Sequence, residues 1–156
     1  MEHRFAVEIK WTGNSGSGTS GYNEYVRDHV VSVKGKPEMM CSSDPVFLGD
    51  GKKYNPEDLF IASLSACHML WYLHLCADAG IIVTAYSDEA EGKMIQLPDG
   101  GGHFTSVNLY PFVTVKEKSM TMKAMSLHDV AAEKCFIANS CNFPVTHHPS
   151  CRTLND

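Results

Sequence analysis

Phe5, Val7, Ile9 and Trp11 alternate with polar neighbours, a period of two that predicts a first strand. The Gly/Ser-rich segment TGNSGSGTSG, 12–21, follows as a flexible connection. YNEYVRDHVVSVKG, 22–35, predicts a second strand, and PEMMCS, 37–42, a short third. The turn formers of 42–54 predict a loop. The pattern then changes. NPEDLFIASLSACHMLWYLHLCADAG, 55–80, predicts a helix with Asn55 as N-cap, Pro56 at the first helical position, Glu57 and Asp58 on the positive dipole end, and Gly80 as the stop. Its body is apolar on nearly all sides, so burial all round is expected. A chain of this length rarely wraps such a helix alone, which points to a homodimer.

Beyond Gly80, residues 81–97 predict one strand, PDGGG a turn, and HFTSVNLYPFVTVKE, 103–117, the returning strand. Pro111 marks an edge or a bulge there. Residues 121–141 predict a second helix, with Leu127, Val130, Ala131, Ile137, Ala138 and Cys141 near helical spacing, and FPVTHH a last short strand. The expected order is βββ-α-ββ-α-β, two helices against antiparallel sheets in an α+β class. Without internal repeats, the 156 residues are expected to form a single domain, 1–156.

A net charge of −5 invites neither nucleic acid nor an anionic membrane surface. The longest apolar run, within 59–77, is interrupted by Ser63, Ser65, His68 and His74, so no membrane span is expected. The N-terminal alternation predicts a strand rather than a leader, and the expected location is the cytoplasm. Six cysteines, at 41, 67, 76, 135, 141 and 151, contain no CxxC pair. In such a chain they read as reduced thiols rather than a disulfide framework.

Cys67 and Cys135 stand out because each falls inside a predicted helix. The plain reading is packing, since free Cys is among the most buried residue types. The sharper one is a redox pair. A thiol attacks as its thiolate, and Cys67 lies twelve residues past Asn55, too deep for the helix dipole to activate it. A side-chain cation is needed. Of the three arginines, Arg27 sits in an apolar predicted strand, where a buried charge requires a partner. Glu57 can hold it in a bidentate fork. The plain readings are a solvated strand charge for Arg27 and a first-turn helix residue for Glu57.

Other candidates fit less well. His147, His148, Cys151 and Cys141 are zinc-type ligands, but their spacing matches no signature and no metal is expected. His68 and His74 read as core or interface histidines, and His128, near the start of its helix, as solvated. Neighbours on a helix do not face each other, so His68 and Cys67 do not make a hydrolase dyad. Cys76 faces away from Cys67, and Cys41 carries no motif.

NPEDLFIASLSACHMLWYL, with Glu57 ten residues before Cys67, resembles the first signature of the OsmC/Ohr family of peroxide-resistance proteins. HDVAAEKCFIANS resembles the second, with Cys135 as the other family cysteine, and Arg27 matches the family arginine in position. The resemblance covers nearly the whole chain. Phe136 follows Cys135 where many members have proline, which places the chain nearer the OsmC-like branch. The resemblance implies an intertwined homodimer with two interface sites. It implies reduction of organic hydroperoxides by Cys67, with Cys135 resolving, Arg27 and Glu57 assisting, an external dithiol as reductant and no cofactor. Glu57 and Cys67 are about 15 Å apart along one straight helix, so Glu57 is expected to act on the partner's thiol or across a helix break. Met69, Trp71 and Phe136 are candidates for lining an apolar peroxide pocket. The alternative on the same scaffold is a non-catalytic small-molecule binding or redox-sensing protein.

Overall fold

Three short strands open the chain: β1 (Glu8–Trp11), β2 (His29–Ser32) and β3 (Met39–Cys41). They pair antiparallel in the order β1-β2-β3, with Glu8 opposite Ser32 and His29 opposite Cys41. They belong to the first of two compact units, Met1–Leu59 and Phe60–Asp156, of which the computed structural model describes residues 1–154. The alternation of Phe5, Val7, Ile9 and Trp11 does not mark a core face within this unit, because all four are exposed. Arg27 lies in the irregular segment before β2, not inside a strand. That segment is fixed locally. Trp11 Nε1 donates to the Val26 carbonyl at 2.8 Å and the Val26 N–H to the Gly13 carbonyl at 2.9 Å. A Cβ on Gly13 would fall 1.7 Å from the Val26 oxygen, so only glycine permits this approach.

The first helix, α1, is Pro56–Asp78. Asn55 caps it as the sequence predicts. Its Oδ1 accepts from the Asp58 N–H at 2.8 Å, while the Asp58 carboxylate accepts from the Asn55 N–H at 3.2 Å, a reciprocal capping box. Asn55→Ala removes one arm of this box, and urea unfolding is expected to register a loss of about 1 kcal/mol. Gly80, at φ +70°, ends the helix, and the Ile81 N–H closes back on the Cys76 carbonyl at 2.8 Å. Length and composition would let α1 cross a membrane. In this fold it lies against sheets instead, and burial covers one stripe, Leu64, His68, Tyr72 and Cys76, rather than all sides. Leu70, on the opposite face, is 63% exposed.

The two long strands expected after α1 are four: β4 (Val83–Asp88), β5 (Glu91–Gln96), β6 (Gly102–Leu109) and β7 (Pro111–Val115). Both arms change sheet at the same level. The Asp88 carboxylate takes the Tyr110 N–H at 2.6 Å and the Ser65 hydroxyl at 2.5 Å. The next residue, Pro111, has no N–H to give, so the ladder stops between β6 and β7. Pro111 occupies the first position of a central strand, neither an edge nor a bulge.

The second helix, α2 (Thr121–Lys134), stops seven residues before the predicted end. The tail holds β8 (Val145–His147) and an unpredicted β9 (Ser150–Thr153). Each joins a sheet in parallel, giving β4-β7-β9 and β5-β6-β8. The architecture is α+β as expected, but these two sheets are mixed rather than purely antiparallel. Tyr72, Cys76, Val113, Val115, Ala124, Leu127 and Ala131 make one core cluster of the second unit, and Leu64, Val107 and Leu109 the other. β5 approaches α1 closely at Gly92, where a Cβ would fall 2.6 Å from Ile61 Cδ1.

Candidate functional site

Cys67 stands midway along α1, and Trp71 follows it by four positions on the same face. Cys135 is not inside a helix. It is the C-cap of α2, with φ −68° and ψ 109°, where the chain turns out of the helix. Its thiol lies close enough to that of Cys67 for the one to act on the other's proton affinity. Burial first, and the Cys67 thiol beside it second, push the Cys135 pKa up to about 11. The Ala138 N–H points at Cys135 Sγ from 3.4 Å and opposes that rise. Cys135 is 1% exposed and keeps its proton at neutral pH, whereas Cys67 is half-buried. This arrangement puts the reachable sulfur on Cys67 and a protonated second sulfur against it.

Aromatic residues flank the pair along the chain, Trp71 four positions after Cys67 and Phe136 next to Cys135. The rings of Trp71 and the exposed Phe136 meet at 5.8 Å, and the Lys134 ammonium sits 5.5 Å from the Trp71 ring. Lys134, which the sequence analysis passed over, is a cation adjoining Cys135 in the chain. Met69, two positions from Cys67, points to the other side of α1.

Arg27 and Glu57 belong to the first unit. The Arg27 guanidinium donates to the carbonyls of Tyr25 and Tyr22 at 2.5 and 2.6 Å, and lies 4.0 and 4.4 Å from the centres of their rings. Within one chain its partners are therefore these tyrosines and not Glu57. Glu57 occupies the first turn of α1, which runs unbroken to Asp78. The helix break that would bring it to its own Cys67 does not exist.

A histidine cluster lies beside the thiols. His68 Nε2 and His128 Nδ1 are 3.0 Å apart, so the two rings share one proton. Each is 1% exposed, and His128 is not solvated as its sequence position suggests. It stacks on Tyr72 at 3.9 Å. His128 follows Ala124 by four and precedes Ala131 by three, the spacing of the buried stripe. That periodicity is the signal that places it in the core. Burial holds His68 down to about 4, with His147 nearby as a smaller cause, and His128 down to about 3, with His68 as the second cause. Both are neutral at pH 7. His147 at the end of β8 stacks 5.4 Å from His68, and its Nε2 meets the Asp129 carboxylate at 3.0 Å. A cavity of about 30 Å³ is lined by Leu64, His68, Cys135, Thr146 and His147 among others.

The remaining thiols are apart from this pair. Cys76 is in the core with Cys151 packed against its cluster, and Cys41 is buried in the first unit. No group of three or more His, Cys, Asp or Glu among the described residues is arranged to hold a metal ion.

The family described as OsmC-like protein matches the chain over residues 49–148, which includes Glu57, Cys67 and Cys135. No curated protein matches. Among solved structures, an OsmC-like protein of unknown function from Vibrio cholerae is 28% identical, with TM-score 0.85 over 96% of this chain and 100% of that one. An organic hydroperoxide resistance protein from Elizabethkingia anophelis is 19% identical, with TM-score 0.68 over 98% and 99%. One from Legionella pneumophila is 21% identical, with TM-score 0.67 over 96% and 98%. The last two likenesses are likenesses of fold.

Proposed function

The chain belongs to the OsmC-like family, and from that premise we propose that it is a cysteine-based peroxidase that reduces organic hydroperoxides at the expense of a dithiol. The observation that carries this reading is the apposition of Cys67 and Cys135 from two different elements. The Cys67 thiolate attacks the terminal peroxide oxygen. The O–O bond breaks, the alcohol leaves with a proton, and Cys67 becomes a sulfenic acid. Cys135 attacks that sulfur, a disulfide forms and water leaves. A dithiol then returns both cysteines to thiols by exchange. A second, adjacent thiol shields Cys67 from irreversible overoxidation.

We assign Arg27 the stabilisation of negative charge on sulfur and oxygen, and Glu57 its orientation. The unbroken α1 sets Glu57 about 15 Å along the axis from Cys67 of its own chain. In this reading both residues act in a homodimer, with Glu57 of the partner subunit serving each thiol. The exposed stripe of α1 around Leu70 and the exposed Phe5, Val7 and Ile9 support such a dimer. A chain whose six cysteines are free thiols fits a reducing cytoplasm.

The experiment is steady-state consumption of cumene hydroperoxide by the wild-type protein. We expect many turnovers per Cys67 with a dithiol and far fewer with a monothiol, because a dithiol resolves its mixed disulfide internally. The cavity beside Cys135, about 30 Å³, admits water and not an organic peroxide. The rival on the same scaffold is a redox sensor whose thiol pair oxidises once. Consumption that stops at one equivalent, with dithiol in excess, selects the sensor and ends the peroxidase reading.

A further inference from the structure

Closure of the Cys67–Cys135 disulfide requires Cys135 to lose its proton, and nothing assigned so far takes it. The thiol is 1% exposed, so bulk water does not reach it directly. It lines a cavity together with His68, Thr146 and His147. At about 30 Å³ this space accommodates one water, with polar side chains on its wall to bind it. Of the three clustered histidines, His68 and His128 already spend a ring nitrogen each on one another, 3.0 Å apart. His147 differs. Its Nε2 faces the Asp129 carboxylate at 3.0 Å, and Asp129 is 80% exposed at the protein surface. With Nε2–H donating to the carboxylate, Nδ1 is the ring's acceptor. The pair then has the arrangement of a general base held by a carboxylate, the histidine lining the cavity and the carboxylate exposed to solvent.

We propose that His147, oriented by Asp129, accepts the proton that Cys135 releases as it attacks the Cys67 sulfenic acid, through a water in the shared cavity. This rests on the peroxidase reading. In the step, the sulfur–sulfur bond forms and the sulfur–oxygen bond of the sulfenic acid breaks. The departing hydroxide takes up a proton and leaves as water. Formally Cys135 sulfur gives up one electron and Cys67 sulfur gains it, both ending at the disulfide level, and the hydroperoxide that made the sulfenic acid is the only oxidant. The groups facing His147 are few. His68 approaches from α1 and His128 and Asp129 from α2. His148 follows it in the chain, with Nε2 3.5 Å from the Thr146 hydroxyl, and Asp88 acts on the cluster through His68. The carboxylate of Asp129 contacts the ring directly, at 3.0 Å from Nε2, and holds its orientation.

The test separates the two chemical steps. Reduced full-length protein is mixed rapidly with cumene hydroperoxide between pH 5 and 9. Cys67 sulfenic acid is trapped with dimedone, and disulfide is followed by loss of thiols. Wild type should close quickly, with a rate that rises with pH and then levels, as reaction through a built-in general base does. His147→Gln fills the same space without a base. It should accumulate trappable sulfenic acid, close on the order of a hundredfold more slowly, and lose the levelling limb so that closure tracks hydroxide. Asp129→Asn, at an exposed position, should slow closure less than His147→Gln and alter the pH profile, because the ring loses the carboxylate that orients it. A packing role would move neither limb. His147→Gln closing at the wild-type rate with the wild-type profile overturns this inference alone. A wild-type protein that forms neither sulfenic acid nor disulfide overturns the peroxidase reading, and this inference with it.

Discussion

Cys67→Ser will lose hydroperoxide turnover by a factor on the order of 10⁴ or more, the scale seen when a nucleophile is removed from a site that acts as a unit. The serine hydroxyl is nearly isosteric with the thiol, but it ionises far above neutral pH and is a poor attacker of peroxide oxygen. Cys135→Ser should behave differently. Its Cys67 still attacks, so the first equivalent of peroxide is consumed. The sulfenic acid then persists, reacts with dimedone, and climbs to the sulfinic state in excess peroxide. The asymmetry follows from the site. Cys67 is half-buried, while Cys135 is 1% exposed and its pKa is pushed up to about 11. Two assays decide it, cumene hydroperoxide consumption and intact mass after a single equivalent. If Cys67→Ser turns over at even a tenth of the wild-type rate, the chemistry resides on another thiol and the assignment fails.

Acidification will destabilise the fold by several kcal/mol between pH 6.5 and 4, well before most carboxylates are protonated. An unfolded imidazole titrates near 6.5, whereas burial holds His68 at about 4 and His128 at about 3. Both shifts are downward, so above pH 6.5 the two rings are neutral in either state and stability is whole. As pH falls below 6.5, the unfolded chain binds protons that the folded chain refuses. Each such ring costs up to about 1.4 kcal/mol per pH unit in that window. The geometry explains the refusal. The rings share a single hydrogen bond at 3.0 Å, His128 lies against Tyr72 at 3.9 Å, and a second proton would place two charges side by side away from water. Urea midpoints taken from pH 7.5 to 4.5 measure the slope. His128→Phe keeps the stack on Tyr72 and removes one titrating ring. It should be less stable at pH 7.5, by about 1–3 kcal/mol for the partner left to His68, yet show about half the acid slope. A midpoint that stays flat to pH 4.5 in the wild type would mean that the cluster accepts charge, and the buried geometry would be wrong.

Much of this protein was legible before folding was considered. The capped helix from Asn55 to Gly80 carries its start and stop as local chemistry, and so it forms where the sequence places it. The two cysteine signatures identified the family, and the pair they single out is the pair the fold brings together. The strand pattern was right in period and wrong in continuity. Period two recognises extended chain, but it does not say that Asp88 will capture the Tyr110 N–H and send both arms into a second sheet. β9 was missed for a related reason: it is four residues long and gains its partners from β7, far away in sequence.

The histidines mark the limit most clearly. His68, His128 and His147 lie on α1, α2 and β8 and meet only in three dimensions. What the sequence determined by itself was whatever rests on neighbours within a turn or two: the caps of the first helix and the family motifs. What only the tertiary structure decided was which distant groups share a desolvated space. That includes the exit of Cys135 from its helix, the neutral histidine pair and the Asp129–His147 contact beside the cavity. The physical reason is that hydrogen-bond caps and periodicity act along the chain, whereas burial, and the proton affinities it sets, belong to contacts between segments that the sequence keeps apart.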